Sequence, residues 1–182
     1  NFRCFKEVYC DCGYTLLKTK FEFEYKLNPE LALLLTTSGS TGSFKLVRQS
    51  YNNISSNMSS ISKYLNLNDT ERAITTLPMH YTYGLSVINS HLSVGASVVL
   101  TDKTLMQKDF WTKLKSYKVT SMSGVPYTYE MLDKLRFFRM NLPDLRTITQ
   151  AGGKLSLSLH EKFAKYAVEN NKRFIVMYGQ TE

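Results

Sequence analysis

The sequence has no long hydrophobic run. Its apolar stretches, such as Leu31–Leu35, are far shorter than the roughly 20 residues a membrane-spanning helix needs, so no membrane span is expected. No charged-then-apolar leader opens it. It begins at Asn1 rather than Met and stops at Glu182, so we expect a piece of a longer protein. Cysteine is scarce: Cys4, Cys10 and Cys12 are the only three, all in the first dozen residues. No CxxC pair or neighbouring histidine completes a zinc set among them. An odd number without a secretion signal suggests free thiols in a reducing, cytoplasmic compartment. There is no block of single-sign charge either. The 23 Lys and Arg outnumber the 15 Asp and Glu, but they are scattered, with loose concentrations only at Lys113, Lys115, Lys118 and at Lys134, Arg136, Arg139. A nucleic-acid surface would cluster them on one face with interleaved aromatics. The pattern reads as solvated surface, tolerant of small anions, and no nucleic-acid partner is expected. Internal repeats and low-complexity segments are absent.

What is present suits a globular α/β chain. The 182 residues are 43% hydrophobic and 13% aromatic, enough for one sizeable core and too few for two comfortable domains. Short apolar or β-branched runs at Leu31–Leu35, Arg72–Leu77, Ser97–Leu100, Val119–Ser123, Arg146–Thr149 and Phe174–Met177 read as strands. Between them, Ile54, Met58, Ile61 and Leu65 recur at helical spacing, as do Leu159, Phe163 and Ala167. Ser158 with Glu161 three residues on suggests a capping box for the latter helix. Strand–helix alternation argues for a mostly parallel sheet with packed helices, and in such sheets ligands sit where loops leave the carboxyl ends of strands. The first residues differ. Phe21, Phe23 and Tyr25 alternate with charged residues, as in a half-exposed antiparallel strand. We therefore divide the chain into an antiparallel β-like entry segment, 1–27, and an α/β unit, 28–182.

Directly after Leu31–Leu35 comes Thr36-Thr37-Ser38-Gly39-Ser40-Thr41-Gly42-Ser43-Phe44-Lys45. Glycines that let backbone N–H groups converge, hydroxyl donors and a lysine are what phosphate binding needs, although an ordinary flexible Ser/Gly loop has much the same composition. A P-loop is excluded, because Phe44 stands where GxxxxGK[ST] requires its second glycine.

Further along lie Leu77-Pro78-Met79-His80-Tyr81-Thr82-Tyr83-Gly84-Leu85, then Gly95-Ala96-Ser97-Val98-Val99-Leu100, Gly124-Val125-Pro126-Tyr127, Leu145-Arg146 to Ala151-Gly152-Gly153-Lys154-Leu155, and the terminal Met177-Tyr178-Gly179-Gln180-Thr181-Glu182. Singly, each has an ordinary structural reading: a packed histidine, a turn, a strand end. Together and in this order they resemble the motifs of the adenylate-forming superfamily, which includes acyl-CoA synthetases, luciferases and peptide-synthetase adenylation domains. The resemblance covers nearly everything from Asn28 onward. Phe44 and Leu46 replace the family's usual Pro and Gly in the first loop. Lys154 replaces a small residue and the following Pro is missing, which bears on contacts to the adenine edge.

The resemblance implies part of the large N-terminal domain of an adenylate-forming ligase, with ATP and Mg²⁺ as cofactors. A carboxylate attacks the α-phosphorus, pyrophosphate leaves, and the acyl group passes to a thiol of coenzyme A or of an acyl carrier protein. It assigns Thr37, Ser38, Gly39, Ser40, Thr41, Gly42 and Lys45 to the phosphates and Gly152, Gly153 and Lys154 to the base. Tyr178 and Gly179 would form the stacking turn, Thr181 would meet the α-phosphate and Glu182 would bind Mg²⁺. His80, Gly84 and Gly152 would border the acid, with His80, Thr181 and Glu182 at the reacting centre. Amino-acid-activating members carry a Phe-Asp pair where Met79-His80 stands, so an α-amino acid is disfavoured. The family's ribose-binding Asp, hinge and C-terminal lysine domain lie downstream of these motifs, and the chain alone is expected to be inactive. The rival readings are a carrier-protein or amino-acid adenylation domain and a non-catalytic nucleotide-binding domain.

Overall fold

A computed structural model describes residues 5–11, 14–19, 26–36 and 46–182. Strands β1 (Phe5–Asp11) and β2 (Tyr14–Thr19) pair antiparallel. Strands β3 (Leu31–Thr36) and β4 (Leu46–Ser50) form a second antiparallel pair. The expected strand around Phe21–Tyr25 lies outside the described residues.

The remaining elements build a five-stranded sheet. They run α1 (Tyr51–Tyr64), β5 (Arg72–Ile74), α2 (Thr82–Ser93), β6 (Ser97–Val99), α3 (Lys108–Ser116), β7 (Ser121–Gly124), α4 (Pro126–Lys134), β8 (Thr147–Gln150), α5 (Leu157–Glu169) and β9 (Arg173–Val176). The strand order is β6-β5-β7-β8-β9 and every pairing is parallel. The chain steps outward once, from β5 to β6, then returns past β5 to β7. The order therefore reverses between β5 and β7, the kind of switch point where ligands gather in open α/β sheets.

Side-chain alternation gives the sheet two unlike faces, because successive strand residues point to opposite sides. Met122 and Ile148 join Phe110 and Leu114 of α3, Tyr129 and Leu132 of α4, and Phe163 of α5 in an apolar core. Rings of Tyr129 and Phe163 meet edge-on at 4.8 Å, a favoured aromatic geometry. Ser121, Ser123, Thr147 and Thr149, the alternate residues of β7 and β8, are also buried; Ser121 and Thr149 meet α2 with their hydroxyls, while the Thr147 hydroxyl accepts from Arg173 of β9. His91 Nε2 lies 3.0 Å from Ser121 Oγ, and Tyr83 Oη lies 2.7 Å from Thr149 Oγ1, which donates to Ser123 Oγ at 2.8 Å. No buried side-chain polar atom lacks a partner among the described residues.

Burial holds the His91 pKa below its ordinary value of 6.5, so the unfolded chain binds the proton more readily than the folded one. The stability this neutral ring confers is complete above about pH 6.5 and drains away as pH falls through and below it. The denaturation midpoint in urea should therefore fall between about pH 7 and about pH 5.5, and the fall should shrink in His91→Asn. An identical pH slope in the variant would remove His91 from the account.

Local chemistry sets the helix starts. Ser50 caps α1: its hydroxyl accepts from Asn53 N at 3.0 Å, and the Asn53 side chain accepts from Ser50 N at 3.0 Å. For α5 the expected capping box at Ser158 and Glu161 is corrected. Ser156 is the N-cap, accepting from Leu159 N, while Ser158 sits within the first turn. Ser156 is the residue with extended backbone, which a cap requires. A second difference concerns Leu31–Leu35, read as one strand of the parallel alternation. It pairs instead with β4, which follows closely enough in the chain to fold back on it.

Gly84 lets α2 begin where it does. A Cβ there would fall 2.2 Å from the Pro78 carbonyl oxygen and 3.0 Å from that of Leu77, both backbone atoms. Gly84→Ala should cost about 1–3 kcal/mol, the range for overpacking, by forcing α2 off this turn. Urea denaturation checks this, and an unchanged midpoint would contradict it.

Candidate functional site

Three clefts open where the loops leave the carboxyl ends of the strands. One, of about 180 Å³, is walled by Asn57 and Ile61 of α1, by Tyr81, Thr82 and Tyr83 at the start of α2, by Gly152 after β8, and by Met177–Thr181 after β9. It brings together four residues singled out from the sequence: Gly152, Tyr178, Gly179 and Thr181. The adjoining cleft, about 330 Å³, is lined by Arg48, Gln49, Asn53, Thr82, Thr181 and Glu182 among others. The two share Thr82 and Thr181, so they form one continuous groove.

Hydrogen bonds fix that shared border. The Gln49 side chain of β4 donates to the Thr181 carbonyl, and the Thr82 and Thr181 hydroxyls lie 3.2 Å apart. The β3–β4 hairpin is thereby tied to the Tyr-Gly-Gln-Thr-Glu segment. The connection between its strands contains Thr37, Ser38, Gly39, Ser40, Thr41, Gly42 and Lys45, all outside the described residues.

Gly152 has φ +76°, and a Cβ there would come within 2.6 Å of the Tyr81 hydroxyl and 3.0 Å of Val125 Cγ1. Glycine alone fits that approach without strain. Buried Gln150 steadies the turn by donating to the carbonyls of Gly153, at 2.8 Å, and Ala151, at 3.2 Å. Tyr178 is 87% exposed, so its ring is free to stack on a flat partner. Glu182 is exposed at the mouth of the 330 Å³ cleft. Among the described residues no group of three or more His, Cys, Asp or Glu side chains could hold a metal by itself. A lone carboxylate suits Mg²⁺, which is commonly held by one or two carboxylates with substrate phosphates and water completing its shell.

The structure separates other sequence candidates from this groove. His80 is exposed on the turn before α2 and lines none of the three clefts, and exposed Gly153 and Lys154 do not line them either. Gly84 is buried against the Pro78 carbonyl. The helix after Gly124-Val125-Pro126 lines the third cleft, about 490 Å³, through Tyr127, Thr128 and Met131, opposite Leu77, Pro78 and Lys103. Only Val125, at the turn itself, reaches toward Gly152. Arg48, Gln49, Tyr81, Thr82 and Gln150 were not singled out from the sequence. Arg48 and Gln49 sit on a strand whose partner is separated from it by the glycine-rich loop, a hairpin signal that could have found them.

A family model described as AMP-binding enzyme matches residues 17–182. A 2-succinylbenzoate–CoA ligase of Staphylococcus epidermidis is 33% identical over 159 residues, covering 87% of this chain and 32% of the relative. Its counterpart in Bacillus velezensis is 35% identical over 158 residues, covering 84% and 30%. Among solved structures, O-succinylbenzoate coenzyme A synthetase from Bacillus subtilis, in complex with ATP and magnesium ion, superposes with a TM-score of 0.72 at 26% identity, covering 91% of this chain and 34% of that one. The chain spans about a third of the length of the relatives it matches.

Proposed function

This chain belongs to the AMP-binding enzyme family, and on that premise we propose that it carries the nucleotide and acid groove of an AMP-forming acid–thiol ligase. The ligase activates a carboxylic acid as its acyl-adenylate, releases pyrophosphate and transfers the acyl group to coenzyme A. The observation that carries this reading is the single groove that collects Gly152, Tyr178, Gly179 and Thr181 and runs on to Glu182.

The residues divide the work by position and charge rather than by covalent chemistry, as transfer at phosphorus allows. Tyr178 stacks on the base and Gly152 leaves the backbone open beside it. The Thr181 hydroxyl, beside the Thr82 hydroxyl and on backbone that Gln49 holds through the Thr181 carbonyl, donates to the α-phosphate. Thr37–Gly42 and Lys45 receive the β- and γ-phosphates. Glu182 would hold Mg²⁺, which would supply neutralisation of phosphate charge. Arg48, which shares the Glu182 cleft, adds a permanent positive charge for the leaving pyrophosphate. The attacking carboxylate enters between Tyr81, Tyr83 and Gly152, with His80 at the outer turn. That the two curated relatives are named CoA ligases supports coenzyme A over a carrier protein as acceptor.

Among the described residues no carboxylate lines the 180 Å³ cleft, so no side-chain anion among them would pair with a substrate ammonium group there. ATP–pyrophosphate exchange by the full-length protein should therefore run at least tenfold faster with its best aryl, fatty or hydroxy acid than with any of the common amino acids. Exchange driven best by an amino acid would overturn the substrate class, and no exchange with any acid would overturn the function.

A further inference from the structure

Beyond Met177 the chain has little to hold it. Met177 N donates to Gln150 O at 2.7 Å, and among the described residues no backbone hydrogen bond follows from Tyr178 to Glu182. A Cβ on Gly179 would meet nothing within 4 Å, and Tyr178, Gly179, Gln180 and Glu182 are all exposed. A carboxylate at the end of so loose a segment would sample many directions, and a metal ligand works best when its direction is fixed.

Two side chains from outside the segment supply that restraint. Thr82 Oγ1 lies 3.2 Å from Thr181 Oγ1 and steadies that hydroxyl. The Gln49 side-chain amide, 132 positions away in the chain, donates to the Thr181 carbonyl. That carbonyl belongs to the peptide group joining Thr181 to Glu182. The peptide is planar, so a bond to its oxygen fixes the direction in which Glu182 leaves Thr181.

Gln49 is itself firmly seated. It is half-buried on β4 opposite Leu33, while the next residue, Ser50, pairs with Leu31, so β3 carries one extra residue beside it. Bulges of this kind re-aim side chains and recur next to functional sites. Ser50 is in turn the N-cap of α1, locked by reciprocal bonds with Asn53. Gln49 therefore reaches across from backbone held by a strand ladder on one side and a helix cap on the other. One hydrogen bond adds little to overall stability, so what this one supplies is direction.

We propose that Gln49 is a positioning residue for the metal, aiming the Glu182 carboxylate into the 330 Å³ cleft that Gln49, Thr181 and Glu182 all line. This rests on the assignment of Glu182 to Mg²⁺ made above. Gln49 acts through the peptide between Thr181 and Glu182 and touches neither metal nor nucleotide.

Gln49→Met keeps the length of the side chain and removes the amide. Mn²⁺, a paramagnetic stand-in for Mg²⁺, is titrated into the full-length protein with a non-hydrolysable ATP analogue and followed by electron paramagnetic resonance. The variant should bind Mn²⁺ about tenfold more weakly, the low end of what losing an outer partner of a metal ligand costs. In ATP–pyrophosphate exchange the Mg²⁺ concentration for half-maximal rate should rise to match, while KM for the acid and Tm stay close to wild type. In a Glu182→Gln background the same substitution should not weaken Mn²⁺ further, because the group it acts through is already gone. Unchanged Mn²⁺ affinity in Gln49→Met, or an equal loss in the Glu182→Gln background, would overturn the proposal. So would a variant that fails to fold or melts well below wild type, since Gln49 would then be a structural residue. Glu182→Gln with wild-type Mn²⁺ affinity is a different outcome, which removes the metal assignment itself and this proposal with it.

Discussion

Replacing Glu182 by glutamine should lower the rate of acyl-adenylate formation by about 10²-fold or more, the scale on which a single charge-stabilising contact to a transition state is commonly felt. The substitution keeps size and one oxygen acceptor but removes the negative charge. Glu182 is exposed and none of the observed ion pairs involves it, so folding has little to lose. Among the described residues it is also the only acidic one lining the 330 Å³ cleft, so no described carboxylate there replaces it as a hard ligand. The loss should be partly recovered by raising Mg²⁺, because a weakened site is filled by mass action. Wild-type rates with unchanged Mg²⁺ dependence would show that the metal is held elsewhere.

Gly152→Ala should harm both stability and activity. At φ +76° a side chain lies in the left-handed region, at a cost of about 1–2 kcal/mol. For a chain of this size that corresponds to a fall in Tm of about 2–8 °C. The new methyl would also sit 2.6 Å from the Tyr81 hydroxyl, and Tyr81 cannot stay where it is. Both residues line the 180 Å³ cleft, so the displaced ring changes the space where base and acid meet. We expect kcat/KM for adenylation to fall tenfold or more, beyond what the stability loss explains at a temperature where the variant is fully folded. Unchanged Tm and kcat/KM would mean that the turn is soft and that Gly152 is not a close wall of the site.

The parallel sheet was legible because its strands punctuate a regular alternation with helices, and five of the six strand-like runs fall on β5 to β9 within a few residues. The sixth, Leu31–Leu35, was placed in the wrong company, since an apolar run does not say which partner it pairs with. Motif order foretold that Gly152 and the Tyr178–Glu182 segment belong together, although about 25 residues of α5 and β9 separate them. The hydroxyl face beneath α2 was not legible. Ser121, Ser123, Thr147 and Thr149 look like indifferent strand residues, and only their distant partners, His91 for Ser121, Tyr83 for Thr149 and Arg173 for Thr147, give them meaning. The tie from Gln49 to Thr181 spans 132 positions and leaves no local trace in the chain. His80 illustrates the converse: a motif match placed it at the site, while in the structure it stands exposed on the neighbouring turn.

The most direct test of the central claim follows an oxygen atom. The full-length protein, supplied with ATP, Mg²⁺, coenzyme A and an acid labelled with ¹⁸O in both carboxylate oxygens, is run through turnover and its products are weighed by mass spectrometry. Attack of the carboxylate on the α-phosphorus leaves one of its oxygens on that phosphorus when the acyl group moves to the thiol. AMP should therefore carry one labelled oxygen, with pyrophosphate unlabelled. Label in inorganic phosphate with ADP as the other product, or AMP free of label, would contradict adenylate formation in this groove.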